Sequence, residues 1–125
     1  KPVSGGEAKL RGRGGETLAA EERRRQGWQI LASGYRSRFG EIDLIAADDK
    51  YLAFIEVKLR TSEGFAPGRA AVDARKQNRL RATAELWLAE HPEEVRQPRF
   101  DVAEIFAPQG TATRAPRITW IENAF

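Results

Sequence analysis

The chain has 125 residues, enough for one domain with a real core; 41% of them are apolar, more than a disordered segment carries, and the formal net charge is only +3. It holds no cysteine and one histidine, His91, which excludes disulfides, thiolate metal sites and multi-histidine zinc centres. No apolar run approaches membrane-spanning length and no signal peptide is visible, so the expectation is a cytoplasmic protein with no membrane partner, its native start lying upstream of Lys1.

The charge is spread unevenly. Lys and Arg outnumber the acids in residues 1–38 and again in residues 69–81, on either side of an acidic centre. A charge run is ordinarily a solvated face. Two basic flanks around carboxylates also suit a phosphate backbone passing a metal site. Residues 1–13 are rich in Gly and Arg and are expected to form a flexible basic segment ahead of a single domain, residues 14–125. A helix is predicted from Glu16 to Gln26, closed by Gly27. Its apolar stripe is thin, Leu18 and Ala19 and little else. Glu16 has two readings of equal weight: an acid that the helix dipole favours in the first turn, or a carboxylate that reaches a site from above. Trp28 to Ser33 reads as a first strand that turns at Gly34. Arg36 and Arg38, one strand repeat apart, point the same way, toward phosphates or toward Glu41 as its counter-charges.

Ile42, Leu44 and Ile45, then Leu52, Phe54, Ile55 and Val57, stand on either side of Asp48, Asp49 and Lys50. This reads as two strands joined by a tight turn. Glu41, Asp43, Glu56 and Lys58 are charges inside an otherwise apolar hairpin, where a charge is costly unless paired or bound to a metal. A two-residue turn at Asp49 and Lys50 sets Asp48 opposite Tyr51, Asp43 opposite Glu56 and Glu41 opposite Lys58. Two carboxylates facing each other across a ladder repel, and a divalent cation between them removes the repulsion. The alternative is a cross-strand salt-bridge cluster. A slip of one residue would put Asp43 and Glu56 on opposite faces and end the argument for a cation shared between them.

After Lys58 a loop is expected from Leu59 to Gly68, with Phe65 at its centre as either a base-stacking aromatic or a core plug. Ala70 to Glu90 reads as a long helix whose stripe of Val72, Leu80, Ala84, Trp87 and Leu88 faces the sheet. Lys76 continues that stripe and should point over the sheet, as a snorkelling lysine or as a site residue. His91-Pro92 ends the helix. Phe100, Val102 and Phe106 alternate in a fourth strand and Ile118 and Trp120 in a fifth, with a surface loop from Gln109 to Ala115 between them. The order helix, three strands, helix, two strands predicts an α/β fold in which helices flank a mixed central sheet of about five strands.

Asp43, followed on the next strand by Glu56-Val57-Lys58, resembles the D…(D/E)xK signature of restriction-endonuclease-like nucleases. The wider set resembles the small bacterial YraN-type family, whose members are similar in fold to archaeal Holliday-junction resolvases. It comprises Gly15-Glu16, Gly34-Tyr35-Arg36, Arg38, Gly40 through Ile45, Phe54 through Lys58, Arg60, Phe65, Ala71-Val72, Lys76-Gln77, Arg99 through Val102 and Asn123-Ala124-Phe125, nearly the whole chain. The chain departs from that pattern at Glu22 and Arg23, where bulky apolar residues are usual, and at Leu59, where Thr is more common.

The resemblance implies a restriction-endonuclease-like three-layer fold and a metal-dependent endonuclease acting on DNA, with branched or structured DNA as the expected target. It implies that Asp43 and Glu56, with the backbone carbonyl of Val57, hold one or two Mg²⁺ (or Mn²⁺). Lys58 would orient the attacking water or help deprotonate it, Glu16 would be a third carboxylate, and Glu41, Lys76 and Gln77 would support the site. Arg36, Arg38, Arg60, Arg75 and Arg79 are the expected nucleic-acid contacts. A symmetric homodimer is also implied, since a four-way junction presents two equivalent strands. Its candidate surface is the strands around Phe100–Phe106 and Arg117–Ile121, with Trp120 and the apolar tail Ala124-Phe125, residues that would otherwise close the monomer's own core. Two further functions stay open: a nucleic-acid-binding module that kept the fold without turnover, and a protein-interaction domain with a vestigial site.

Overall fold

The computed structural model describes residues 14–61, 72–110 and 113–125. The basic segment 1–13 and most of the expected Leu59–Gly68 loop, Phe65 included, lie outside the described residues. The elements follow in the predicted order: α1 (Gly14–Arg25), β1 (Gln29–Ser37), β2 (Gly40–Ala47), β3 (Tyr51–Arg60), α2 (Ala74–Glu90), β4 (Gln97–Phe106) and β5 (Arg117–Ile121). One five-stranded sheet runs β1-β2-β3-β4-β5. Neighbours are antiparallel except β3 and β4, which are parallel and joined through α2, the kind of crossover that parallel strands require.

The helices lie on opposite faces of the sheet. Ala19 and Ala20 of α1 pack on Leu44, Ala46, Ala53, Ile55 and Ala103. Leu80, Ala84 and Trp87 of α2 pack on Ile45, Ala47, Leu52 and Phe54. This is an α/β architecture in three layers with a mixed sheet. The core strand β3 is covered on both faces, which is why Leu52 through Ile55 form an unbroken apolar run instead of alternating. Side chains such as Leu44, Ile45, Leu52 and Ile55 are fully buried, each contributing roughly 2 kcal/mol by removal from water.

Three boundaries differ from the sequence expectation. β1 does not turn at Gly34 but runs on to Ser37, so the β1–β2 turn is Arg38-Phe39. β3 extends to Arg60 because β4 pairs with it along its full length. The second helix starts at Ala74, not Ala70, because the Asp73 side chain accepts the Lys76 N–H at 2.8 Å and caps it. α1 ends as predicted: Gly27 takes φ 93, and the Trp28 N–H reaches back to the Arg23 carbonyl at 2.9 Å.

The thin stripe of α1 has its explanation in Arg23, which is 3% exposed. Its guanidinium lies 4.2 Å from the Trp28 ring centroid and 3.9 Å from that of Trp120, and it pairs with Asp101 at 3.5 Å and Glu122 at 3.0 Å. An arginine sandwiched between aromatic faces and held by carboxylates occupies the place of a bulky apolar residue. The C-terminal tail is used by the monomer: Ala124 is buried and Phe125 stacks on Phe100 at 4.9 Å. Among the described residues no helix is long and apolar enough to cross a membrane.

Candidate functional site

The β2–β3 ladder pairs Leu44 with Ile55 and Ala47 with Leu52, the register that a two-residue turn at Asp49 and Lys50 dictates. Asp48 builds that turn: its Oδ1 accepts the N–H of Lys50 at 2.9 Å and of Tyr51 at 2.7 Å. One position beyond Leu44–Ile55 a side chain takes over from the backbone, and Asp43 Oδ2 accepts the Val57 N–H at 2.8 Å. On the other edge of β2 the ladder to β1 skips Gly34 and Asp43. Gly34 has φ 72, a conformation that suits glycine and interrupts the pleat. Ile42 and Ile45 consequently join the same cluster beneath α2, although strict alternation would set them on opposite faces.

That slip in side-chain phase changes the arrangement expected from the hairpin alone. Asp43 turns toward α1, where Glu16 hydrogen-bonds its carboxyl. Glu56 turns toward α2, where Lys76 Nζ lies 2.8 Å and Lys58 Nζ 3.5 Å from its Oε2. The two carboxyls are not stacked on one face. They meet at the end of the sheet, where both line a cavity of about 260 Å³ together with Gly40, Glu41, Lys76 and Arg79.

Glu16, Glu41 and Asp43 offer carboxylate oxygens that all lie within 4.8 Å of one another. Glu16 reaches this position because its neighbour Gly15 has no side chain: a Cβ there would lie 3.3 Å from Val57 Cγ1 and 3.4 Å from Ile105 Cδ1. The electrostatic consequence falls on Asp43, whose pKa is pushed up from 3.8 to about 7. Burial is the largest cause; the Val57 N–H works against it, and the negative charges of Glu56 and Glu16 add to it. Hard oxygen donors gathered this closely, in a site where burial and neighbouring carboxylates both oppose the negative charge of Asp43, fit a divalent cation of the Mg²⁺ kind.

The other residues singled out in the sequence divide into two groups. Lys76 points over the sheet as expected and grips Glu56; Arg79, exposed, lines the cavity. Arg75 is exposed on the same helix, and Arg36 lies 3.6 Å from Glu41. Three residues are engaged elsewhere. Arg60 pairs with Glu104 at 3.1 Å, Gln77 donates to the Val72 carbonyl at 2.8 Å, and the Arg38 guanidinium sits 4.8 Å from the Phe39 ring centroid. Phe39 went unassigned in the sequence; the available signal was an aromatic between Arg38 and Gly40, at a turn. A larger cavity of about 460 Å³ borders Trp87, His91, Glu94 and Arg96. Its Glu94 is already held by Arg96, whose hydrogen bonds take the carboxyl down to about 2, so no unmet charge gathers there as it does at Asp43.

Residues 15–105 match the profile of "Uncharacterised protein family UPF0102". Among similar proteins, a UPF0102 protein of Nocardia farcinica is 43% identical over 105 residues, covering 84% of this chain and 83% of that protein. One from Halorhodospira halophila is 42% identical over 111 residues (85% and 83% of the two chains), and one from Pseudomonas aeruginosa 37% identical over 116 (92% and 91%). The match runs from Gly15 through the whole of the cavity's carboxylates to β4, so the chain belongs to the UPF0102 family.

Proposed function

We propose that this protein is a metal-dependent endonuclease acting on DNA, with the cavity at the end of β2 and β3 as its site. The observation that carries the reading is the meeting of Glu16, Glu41 and Asp43 within 4.8 Å beside Glu56. Glu16, Glu41 and Asp43 would hold Mg²⁺ or Mn²⁺, with Glu56 lining the same cavity beside them. Bound there, the ion supplies Lewis acidity toward a phosphodiester and a neutralising charge for the carboxylates. The chain's own side chains do the rest. Lys76 holds Glu56 in place, and Lys58, a quarter exposed and also at Glu56, would orient a water. Arg79 at the cavity wall and Arg75 beside it on α2 supply positive charge for the phosphate backbone.

A second reading has its own observation. Lys58 and Lys76 both pair with Glu56, which is also how a carboxylate retained only for structure is satisfied; the protein would then bind nucleic acid without cutting it. A nuclease assay on linear, flapped and four-way DNA with Mg²⁺, Mn²⁺ and EDTA separates the two. The nuclease reading expects metal-dependent cleavage that Asp43→Asn and Glu56→Gln each abolish. Binding without cleavage under every metal condition would favour the binding module. Light scattering with and without four-way DNA tests the dimer that paired cuts would require.

A further inference from the structure

We propose that the tip of the β1–β2 hairpin is a base-stacking wedge, and that the site therefore acts where duplex DNA meets an unpaired strand; this rests on the nucleic-acid reading of the cavity. Ser37 pairs with Gly40 across the ladder, leaving Arg38 and Phe39 as the tip. Phe39 is 37% exposed, one of three large apolar side chains so exposed among the described residues. The Arg38 guanidinium lies over its ring, 4.8 Å from the centroid. The next two residues, Gly40 and Glu41, are already walls of the carboxylate cavity. An exposed aromatic thus stands one residue from the site, beside arginines.

The tip is fastened to the body of the protein. The Phe39 N–H donates to Ser37 Oγ at 3.0 Å. Ser37 Oγ lies 2.8 Å from Thr83 Oγ1, and Thr83, wholly buried in α2, donates to the Arg79 carbonyl at 2.9 Å. Ser37 Oγ also donates to the Gly40 carbonyl at 3.3 Å, across the base of the turn. The relay ties the turn to the same helical segment that sets Arg79 at the cavity. A ring presented on so braced a turn loses little freedom on binding.

The chemistry selects the occupant. Arg36, Arg38 and Arg79 make the surroundings cationic, and no second exposed aromatic or aliphatic side chain adjoins Phe39 in the hairpin to extend it into an apolar docking patch. Aromatic rings and guanidinium planes are the platforms on which unpaired bases stack, while phosphates follow the arginines. Base faces inside a continuous duplex are covered by their neighbours, so the ring finds a partner only where a base face is open: on an unpaired strand, at a duplex end, or at a fork, flap or branch, where the arginines also meet duplex phosphates.

The test uses the full chain with Ca²⁺ in place of Mg²⁺, a forked DNA carrying 2-aminopurine at the first unpaired position, and a linear duplex of the same length. Wild-type binding should change the 2-aminopurine fluorescence. Phe39→Ala should weaken fork binding on the order of tenfold, leave linear-duplex binding unchanged and abolish the fluorescence change; Phe39→Trp should restore both, with all three proteins melting alike. Fork binding unaffected by Phe39→Ala, or an equal loss on both DNAs, overturns the wedge. If wild-type protein cuts forked DNA with Mg²⁺ while Phe39→Ala is unaffected, the wedge fails and the nuclease reading stands. If the stacking signature appears without any cutting, the wedge stands on a binding module. Wild-type protein that neither binds nor cuts either DNA overturns both.

Discussion

Replacing Asp43 with Asn should make the metal-free protein more stable at alkaline pH, the opposite of what a substitution in a buried polar site ordinarily does. The amide keeps an oxygen where Oδ2 accepts the Val57 N–H and removes the charge that Glu56, Glu16 and burial all oppose. The sign follows from linkage. The folded carboxyl titrates near 7 against 3.8 for its ordinary value, so between those pH values the folded state keeps a proton that the unfolded chain has released, and stability falls as pH rises. Above about pH 7 the loss is complete; below about pH 4 it is absent. At roughly 1.4 kcal/mol per pH unit the interval from 3.8 to about 7 sets a ceiling of about 4 kcal/mol, and solvent screening of the partly exposed carboxyl leaves about 2 kcal/mol. In a chain of 125 residues that is a rise in Tm on the order of 5–10 °C for Asp43→Asn near pH 8, shrinking toward zero near pH 4. Thermal melts with EDTA across this range measure it. A variant that melts below wild type near pH 8, or a wild type whose stability does not fall between about pH 4 and pH 7, would refute the reasoning and favour a salt-bridge cluster.

A cation at the proposed site should relieve the same repulsion. Mg²⁺ or Mn²⁺ at about a hundred times its dissociation constant should add about 2.7 kcal/mol of stability, and Asp43→Asn should remove most of that gain; equal metal-induced shifts in both proteins would count against binding at Asp43. Replacing Arg75 and Arg79 by Ala should flatten the dependence of DNA affinity on salt by up to about 0.9 in log–log slope for each phosphate left without its arginine; an unchanged slope would remove this face of α2 from the binding surface. Arg23→Ala strips Asp101 of a partner and opens a gap between Trp28 and Trp120, and should cost about 3 kcal/mol in chemical denaturation. Arg23→Met, which still fills the space between the rings, should cost less; the reverse order would mean that charge pairing alone matters there.

The sequence by itself determined the order of the elements, the layering of helices on a mixed sheet and the β2–β3 register. These follow from local signals: apolar periodicity, and an Asp at Asp48 whose carboxylate turns the chain within three residues. It also brought forward Asp43 and Glu56, because carboxylates in a strongly apolar hairpin are costly without a purpose, and Glu16 through the family resemblance. What only the tertiary structure decided is how those side chains meet. Gly34 interrupts the pleat opposite Asp43, so Asp43 joins Glu16 on the α1 side while Glu56 is drawn to Lys76 on the other. Glu41 enters the carboxylate group itself, and Arg60 is drawn to Glu104 across the sheet. Arg23 looked wrong for a packed helix until Trp28 and Trp120, from β5 at the far end of the chain, were brought around it. Each of these depends on contacts between residues distant in sequence or on one backbone angle that glycine permits but does not announce, and periodicity, which reports only a residue's nearest neighbours along the chain, carries no record of either.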